Sequence, residues 1–511
     1  MRILSFMMVA FMWVGQTHAQ TDVRFVEQAP ATENIAVGVY ENGEMGTAAA
    51  RLNGASNGAL ADAISKMDFK GKLLSTAVMP APQGISHPQI MLIGLGEKGG
   101  DLSDTDYQNA GGKAAQAAVK AFGSIPAIAI DADANGLANF AYGAKLGAYS
   151  FDTYYKDRTD KHKGQDSIRL ISSDDAAASL YAGTFDPVAN AIYNTRDISN
   201  HPANVIYPES FVETWRQNLR GLDVTIKVID EKQMQEMGMG ALYGVGRGSH
   251  RPPRMMIVEY MGAGDDSDPV VIAGKGITFD TGGISLKNPA NMWNMKNDMS
   301  GAASAIGTIK ALAGRGAKVN AVGIAALAEN MPGGNAQRPG DVVTNMSGKT
   351  IEIRSTDAEG RLVLSDAMSY AQANYKPALL VDLATLTGSA GRALGKDYAA
   401  LFSRHQELAD MVTAAGKASL EEVWQLPLNK NHFRAIESSI ADVMNSGPSA
   451  PGASAGAAFI GAFVGEDVPW VHLDIAGVAY GHPAKPTIPD GRSAGFGVRL
   501  LNKVIMDHYE K

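Results

Sequence analysis

The sequence contains no cysteine among its 511 residues, and this absence removes several classes of function. Disulfide bonds, a thiol nucleophile and thiolate metal sites are all excluded, because each of them needs a cysteine sulfur. The stability of the chain therefore has to come from its core, which a chain of this length can supply.

Positive charge is scarce as well. The 45 lysines and arginines are outnumbered by 53 acidic residues, so the formal net charge is −8. Proteins bind nucleic acids largely by neutralising phosphates with lysine and arginine. An acidic chain without a basic stripe is a poor candidate for that task, and we expect no nucleic-acid partner.

Several common catalytic motifs are also missing. None of the ten histidines lies in a His-Glu-x-x-His pattern, and there is neither a Gly-x-Ser-x-Gly elbow nor a Walker A sequence. We therefore assign the histidines, including His201 and His472, to structural or surface roles.

The apolar run that resembles a targeting segment stands at the N-terminus. Arg2 precedes an apolar stretch over residues 3–15, and small residues surround Ala19. This pattern predicts a signal peptide over residues 1–19, because the run is shorter than the about 18 residues that span a bilayer. An uncleaved anchor is the alternative. We expect an exported protein, periplasmic or secreted, without membrane contact after cleavage.

The length favours two domains, and both halves alternate short apolar strands with alanine-rich helices. We predict a smaller N-terminal α/β domain over residues 20–185 and a larger C-terminal α/β catalytic domain over residues 186–511. In the second domain, apolar runs such as 270–273, 319–324 and 378–383 predict a mostly parallel central sheet covered by helices. The segment 275–280 directly follows the first run, so we expect it at a strand end, where ligands collect in such sheets.

Four carboxylates in two glycine-rich blocks and the segment between them are candidate metal ligands: Asp280, Asp298, Asp357 and Glu359. Hard oxygen donors of this kind suit divalent cations. Two ions at such a site would activate a bridging water. An Asp-x-Glu sequence alone is as typical of a solvated loop as of a metal site.

Three cations accompany the carboxylates. Lys275 stands between glycines after a buried strand, and two nearby dications would favour its neutral amine, which could bind a metal. Lys287 could stay an ammonium and stabilise an oxyanion. The planar fork of Arg361 could hold a small anion such as bicarbonate. The simpler alternative for each of the three is an ion pair with a nearby carboxylate.

The sequence resembles the leucyl aminopeptidase family, the two-metal M17 peptidases, over most of residues 195–502. The resemblance rests on an ordered series of motifs: residues 196–209, 237–242, 248–254, 274–283, 329–332, 338–341, 356–362, 384–388 and 472–477.

The resemblance implies a metal-dependent aminopeptidase that acts on short peptides, forms a homohexamer and uses two Zn or Mn ions with bicarbonate. It implies that Lys275, Asp280, Asp298 and Glu359 hold the tighter metal, and that Asp280, Asp357 and Glu359 hold the exchangeable one. Lys287 would then stabilise the gem-diolate, and Arg361 would hold the bicarbonate.

Some positions depart from the family pattern. Ser355 stands where the family usually has asparagine, and Trp293 stands where relatives often carry polar residues. Met295, Thr385 and Ala476 are the candidates for lining the specificity pocket. The departures leave open a second class of function, a catalytically silent exported scaffold or binding protein that keeps the fold.

Overall fold

The computed structural model describes residues 21–156, 167–447, 452–488 and 491–511. The predicted signal peptide lies outside the described residues. Within the described part of the chain, no helix is long and apolar enough to cross a membrane.

The N-terminal domain is built on a six-stranded sheet with strand order β1-β6-β5-β2-β4-β3. Strand β3 pairs with β4 in antiparallel fashion, and the other pairs are parallel. Its elements are β1 (Asp22–Val26), β2 (Ile35–Val39), a 3₁₀ turn (Glu41–Gly43), α1 (Thr47–Ala55), α2 (Ala59–Lys66), β3 (Thr76–Pro80), β4 (Gln89–Gly94), α3 (Asp104–Phe122), β5 (Ala127–Ala129), α4 (Ala134–Gly147) and β6 (Ser167–Ile171).

A long helical run joins the two domains. It consists of α5 (Asp175–Leu180), a π-helical turn (Tyr181–Phe185) and α6 (Asp186–Asn200). The predicted boundary between residues 185 and 186 falls at the start of α6. The helix ends at Asn200, two residues before Pro202, because proline disfavours helical geometry in the residue before it.

The C-terminal domain contains an eight-stranded sheet with strand order β15-β14-β17-β13-β9-β10-β8-β7 and a small sheet with order β11-β12-β16. Its elements are α7 (Pro208–Asn218), β7 (Thr225–Ile229), α8 (Glu231–Glu236), α9 (Gly240–Gly246), β8 (Arg254–Met261), β9 (Val270–Asp280), a 3₁₀ helix (Met292–Asn297), α10 (Ser300–Gly314), β10 (Asn320–Asn330), β11 (Val342–Thr344), β12 (Thr350–Glu352), α11 (Gly360–Asn374), β13 (Leu379–Ala384), α12 (Gly388–Leu394), β14 (Ala399–Ser403), α13 (Gln406–Ser419), β15 (Val423–Gln425), α14 (Lys430–Arg434), β16 (Val443–Met444), α15 (Gly452–Gly461), β17 (Trp470–Asp474) and α16 (Val498–His508).

The two-domain α/β prediction is confirmed. Strands β17, β13, β9 and β10 form a parallel centre, and antiparallel pairs with β14 on one side and β8 on the other make the whole sheet mixed. Helices α7, α10, α13 and α16 cover one face with a large apolar core, and α9, α11 and α15 cover the other face.

Strand β9 is longer than the apolar run predicts. It continues through Lys275 to Asp280, and it pairs with β10 from Val270 to Asp280 with one irregularity. The glycines that interrupt the apolar pattern allow close packing instead of ending the strand. A Cβ atom on Gly274 would lie 2.3 Å from the carbonyl oxygen of Gly301 on α10. Lys275 therefore lies inside the sheet, and Asp280 is the residue at its end.

Candidate metal centre

The predicted site residues converge at the carboxyl end of β9. Strand β9 and the connection from it to α10 carry one group, and the start of α11 with the turn before it carries the other. The first group is Lys275, Asp280, Lys287 and Asp298, and the second is Asp357, Glu359 and Arg361. Carboxylate oxygens of Asp280, Asp357 and Glu359 all lie within 4.8 Å of one another.

Lys275 is the innermost cation of the cluster. Its Nζ atom lies 2.7 Å from Asp298 Oδ2 and 2.9 Å from Glu359 Oε1, and it donates a hydrogen bond of 2.9 Å to the carbonyl of Thr385. Burial lowers the pKa of Lys275, but the carboxylates of Asp298 and Glu359 outweigh that effect and raise the pKa above its usual value. These contacts favour the ammonium form of Lys275 and are the ion pairs of the simpler alternative.

Lys287 forms the second ion-pair centre, nearer the surface. Its Nζ atom lies 2.8 Å from Asp280 Oδ2 and 2.5 Å from Asp357 Oδ1, and its side chain is 24% exposed. Burial lowers the pKa of Lys287, and Asp280 with the other carboxylates raises it above the usual range. A partly exposed ammonium is able to reach a bound molecule while it stays charged.

The four carboxylates outnumber the two lysines, and their pKa values reflect the competition. Burial raises the pKa of Asp298 to about 8 and that of Asp280 to about 6, with the neighbouring carboxylates adding to the effect and the lysines opposing it. Burial also raises the pKa of Asp357. Burial would raise the pKa of Glu359 too, but Lys275 and Lys287 lower it below the ordinary value. The cluster therefore carries more negative charge than its own lysines neutralise.

Arg361 lies beside the cluster without joining its ion pairs. Its Nη1 atom donates a 2.8 Å hydrogen bond to the carbonyl of Asn445, and no ion pair with Asp357 or Glu359 forms among the described residues. Its Nε atom is buried without a hydrogen-bond partner in that part of the chain. An unpaired buried donor of this kind is suited to an anion.

Two asparagines that the sequence analysis missed hold the site together. Asn330, at the end of β10, donates 2.8 Å to Asp280 Oδ1 and 3.0 Å to the carbonyl of Thr356, so it links the two ligand blocks. The side chain of Asn445 bonds the backbone of the turn before Glu359, through the amides of Arg354 and Ser355 and the carbonyl of Ser355. Asn330 lies within the 329–332 motif, but neither asparagine belongs to a ligand-like spacing, and only the fold shows what each one holds.

The geometry of the carboxylates fits divalent cations. Glu359 is buried, yet its Oε2 atom has no hydrogen-bond partner among the described residues. A buried carboxylate oxygen without a partner costs free energy unless a cation binds it. Convergence of three carboxylates on one point supplies the oxygen ligands that such a cation needs.

The fold and the cluster together define an α/β protein with a candidate site for divalent metal ions. Residues 193–502 match the model of the cytosol aminopeptidase family, catalytic domain, and residues 36–158 match the model of the N-terminal domain of the same family. The chain therefore belongs to the cytosol aminopeptidase family, the M17 peptidases, and is an aminopeptidase by family. This confirms the family assignment made from the motifs.

Similar proteins agree with this assignment along nearly the whole chain. A probable cytosol aminopeptidase of Caulobacter vibrioides is 44% identical over 94% of this chain and 98% of its own length. A solved bottromycin maturation enzyme in complex with Mn is 31% identical, covers 93% of this chain and 99% of its own, and has a TM-score of 0.79. A tomato leucine aminopeptidase variant is 29% identical over 96% of this chain and 97% of its own, with a TM-score of 0.80.

The prediction of an exported protein is wrong. The curated relatives with 41–44% identity are named cytosol aminopeptidases, including that of Agrobacterium fabrum. The prediction rested on a single arginine and a short apolar run at residues 1–19. Such a pattern depends on composition alone, and the names of the relatives outweigh it.

Proposed function

We propose that this protein is a two-metal aminopeptidase that releases N-terminal amino acids, with a preference for leucine-like residues, from short peptides. The observation that carries the proposal is the convergence of Asp280, Asp357 and Glu359 within 4.8 Å, with the Lys287 ammonium at two of them. Family membership supplies the reaction class, and the cluster supplies the residues.

The ligands of the proposed Zn or Mn ions are Lys275, Asp280, Asp298, Asp357 and Glu359. The metal ions would polarise the scissile carbonyl and lower the pKa of a water molecule. To serve as a ligand, Lys275 Nζ has to give up one proton. The nearby carboxylates oppose the loss of that proton, because they stabilise the ammonium charge, until a metal cation takes the place of that charge. Asp298 and Glu359, which contact that ammonium, would then be freed for the cation.

Lys287 and Arg361 act on the substrate side of the proposed site. The Lys287 side chain is partly exposed, so its Nζ atom can donate to the carbonyl oxygen of a bound peptide as negative charge develops there. The Arg361 guanidinium, with Nε unpaired, can hold a bicarbonate ion that takes a proton from the attacking water. A free N-terminal amine on the substrate would add a neutral ligand to the site, which selects exopeptidase cleavage.

The decisive experiment compares two isosteric variants in a leucine amide hydrolysis assay. Glu359→Gln removes a carboxylate of the cluster, and we expect turnover to fall at least about 100-fold. Glu259→Gln is the control, because Glu259 also pairs with a lysine, Lys227, but lies on β8 away from the cluster. Unchanged turnover in Glu359→Gln would contradict the assignment of the cluster as the catalytic site. An inert wild-type protein after loading with Mn or Zn would favour the silent scaffold instead.

Two further parts of the proposal follow from the family. We propose a homohexamer, which the mass of the protein in solution tests. We also propose Met295, Thr385 and Ala476 as the lining of the specificity pocket. Thr385 already touches the cluster, since its Oγ1 atom donates 2.6 Å to Asp298 Oδ1. Profiling with a library of N-terminal residues, before and after enlarging Ala476 to Val, tests the pocket.

A further inference from the structure

Asn200, the last residue of α6, is buried and forms hydrogen bonds with three distant parts of the chain. Its Nδ2 atom donates 3.0 Å to the hydroxyl of Tyr149, which follows α4 in the N-terminal domain. Its Oδ1 atom accepts a 3.1 Å bond from the amide of Ser493, near the C-terminus. Its carbonyl accepts a 2.6 Å bond from Lys296 Nζ, in the 3₁₀ helix beside the metal centre. The proposed function uses none of these contacts.

Lys296 lies two residues before Asp298, one of the proposed metal ligands. Among the described residues Lys296 has no carboxylate partner, and its ammonium is held by the carbonyl of Asn200. None of the residues Met292–Asn297 is fully buried, and no side chain caps the 3₁₀ helix at its N-terminal end. The segment packs along β9 and the end of α6, and the bond from Lys296 is the side-chain hydrogen bond that ties it to the domain junction.

The side chain of Tyr149 joins the N-terminal domain to the end of α6. The hydroxyl of Tyr149 donates 2.7 Å to Asp197 Oδ1 while it accepts from Asn200. The Tyr149 ring packs edge-on against Tyr193 at 5.0 Å, and the guanidinium of Arg196 lies over it. All of these partners lie on α6, so they tie Tyr149 of the N-terminal domain to the end of the helix that carries Asn200.

We propose that Asn200 and Lys296 are positioning residues through which the end of α6, at the junction with the N-terminal domain, holds Asp298 in place for metal binding. Two residues of chain span at most about 7 Å, so the anchor at Lys296 restricts where Asp298 lies. The other end of that short stretch is fixed, since the carbonyl of Asp298 accepts a bond from the amide of Ile277 on β9. The inference rests on the proposed function, because it assigns a role toward the same metal ions.

The first test measures Mn affinity by calorimetry on chelator-treated protein. We expect Lys296→Met to weaken Mn binding about tenfold, the lower end of the loss typical for residues that orient metal ligands. Lys296→Arg keeps a donor for the Asn200 carbonyl and should restore most of the affinity. Lys310→Met is the matched control. Lys310 lies on α10 away from the cluster, and its Nζ atom also donates to a main-chain carbonyl, that of Asn218.

The second test asks whether the N-terminal domain takes part. Tyr149→Phe keeps the ring packing but removes the hydroxyl, and we expect about a threefold loss of Mn affinity. Because both changes act through Asn200, Tyr149→Phe combined with Lys296→Met should bind Mn no more weakly than Lys296→Met alone. Thermal unfolding of each variant separates this effect from a general loss of stability.

The outcomes separate this proposal from the assignment of function. Wild-type Mn affinity in Lys296→Met, an equal loss in Lys310→Met, or additive losses in the double variant would each overturn the positioning role. A wild-type protein that neither binds Mn nor hydrolyses leucine amide would overturn the proposed function itself, whatever the variants do.

Discussion

Gly360, the first residue of α11, offers a test in which local helix propensity and the packing of the site predict opposite results. Alanine is favoured over glycine in a helix by about 1 kcal/mol, so propensity alone predicts that Gly360→Ala stabilises the protein. The structure predicts damage, because a Cβ atom at this position would lie 2.5 Å from Cδ and Cε of Lys275 and 2.8 Å from its Nζ.

The size of the effect follows from the contacts that hold Lys275. Carbon atoms are in favourable contact at about 3.5–4.0 Å, so the new methyl group has to displace the Lys275 side chain by about 1 Å. Asp298, Glu359 and the carbonyl of Thr385 hold its ammonium on the other side. Overpacking typically costs about 1–3 kcal/mol, which offsets the helix gain. A shift of about 1 Å in a catalytic group is able to reduce turnover about 100-fold.

The assays are turnover of leucine amide, Mn affinity and thermal unfolding. We expect Gly360→Ala to lose about 100-fold in turnover and to bind Mn more weakly, while its stability stays within about 2 kcal/mol of the wild type. Gly54→Ala is the control, since Gly54 lies in α1 with open space around it and should show unchanged turnover. A fully active Gly360→Ala with wild-type Mn affinity would refute the position of Lys275 in the site.

Three further predictions follow from the same geometry. Lys287→Met should lower kcat at least about 100-fold with little change in KM, because the ammonium acts on developing charge; an unchanged kcat would contradict this role. Asn330→Ala should weaken Mn binding about tenfold by freeing Asp280, and calorimetry at constant pH measures it. Mn affinity should also rise from pH 6 to pH 8, since Asp280, with a pKa of about 6, and Asp298, with a pKa of about 8, hold protons that the metal must displace. Over the same pH range the free energy of unfolding of the metal-free protein should fall, because the aspartates of the unfolded chain have an ordinary pKa and release these protons at lower pH. A Mn affinity and a free energy of unfolding that both stay constant from pH 6 to pH 8 would contradict the raised pKa values.

Much of the candidate site could be predicted from the sequence because its residues cluster in two short blocks. Asp357 and Glu359 lie two residues apart beside a glycine, and that spacing allows both carboxylates to reach one site when the backbone between them forms a suitable turn. The apolar runs of β10 and β13 likewise predict strands, because a strand that is buried on both faces needs continuous apolar residues.

The remaining features depend on contacts between distant parts of the chain. Strand β9 passes through Lys275 because β10 pairs with it and because α10 approaches Gly274 closely, and neither partner is visible in the local pattern. Asn330 and Asn445 are ordinary asparagines in the sequence, and only the fold brings them to the turn that carries Asp357.

The central claim, that the carboxylate cluster binds divalent ions for aminopeptidase chemistry, is tested most directly by one titration. Chelator-treated protein is titrated with Mn while the release of leucine is followed from a short peptide with a free N-terminus and from its N-acetylated form. We predict that leucine release rises in proportion to bound Mn and is confined to the free-amine peptide. Cleavage that persists without metal, or equal cleavage of the acetylated peptide, would contradict the account.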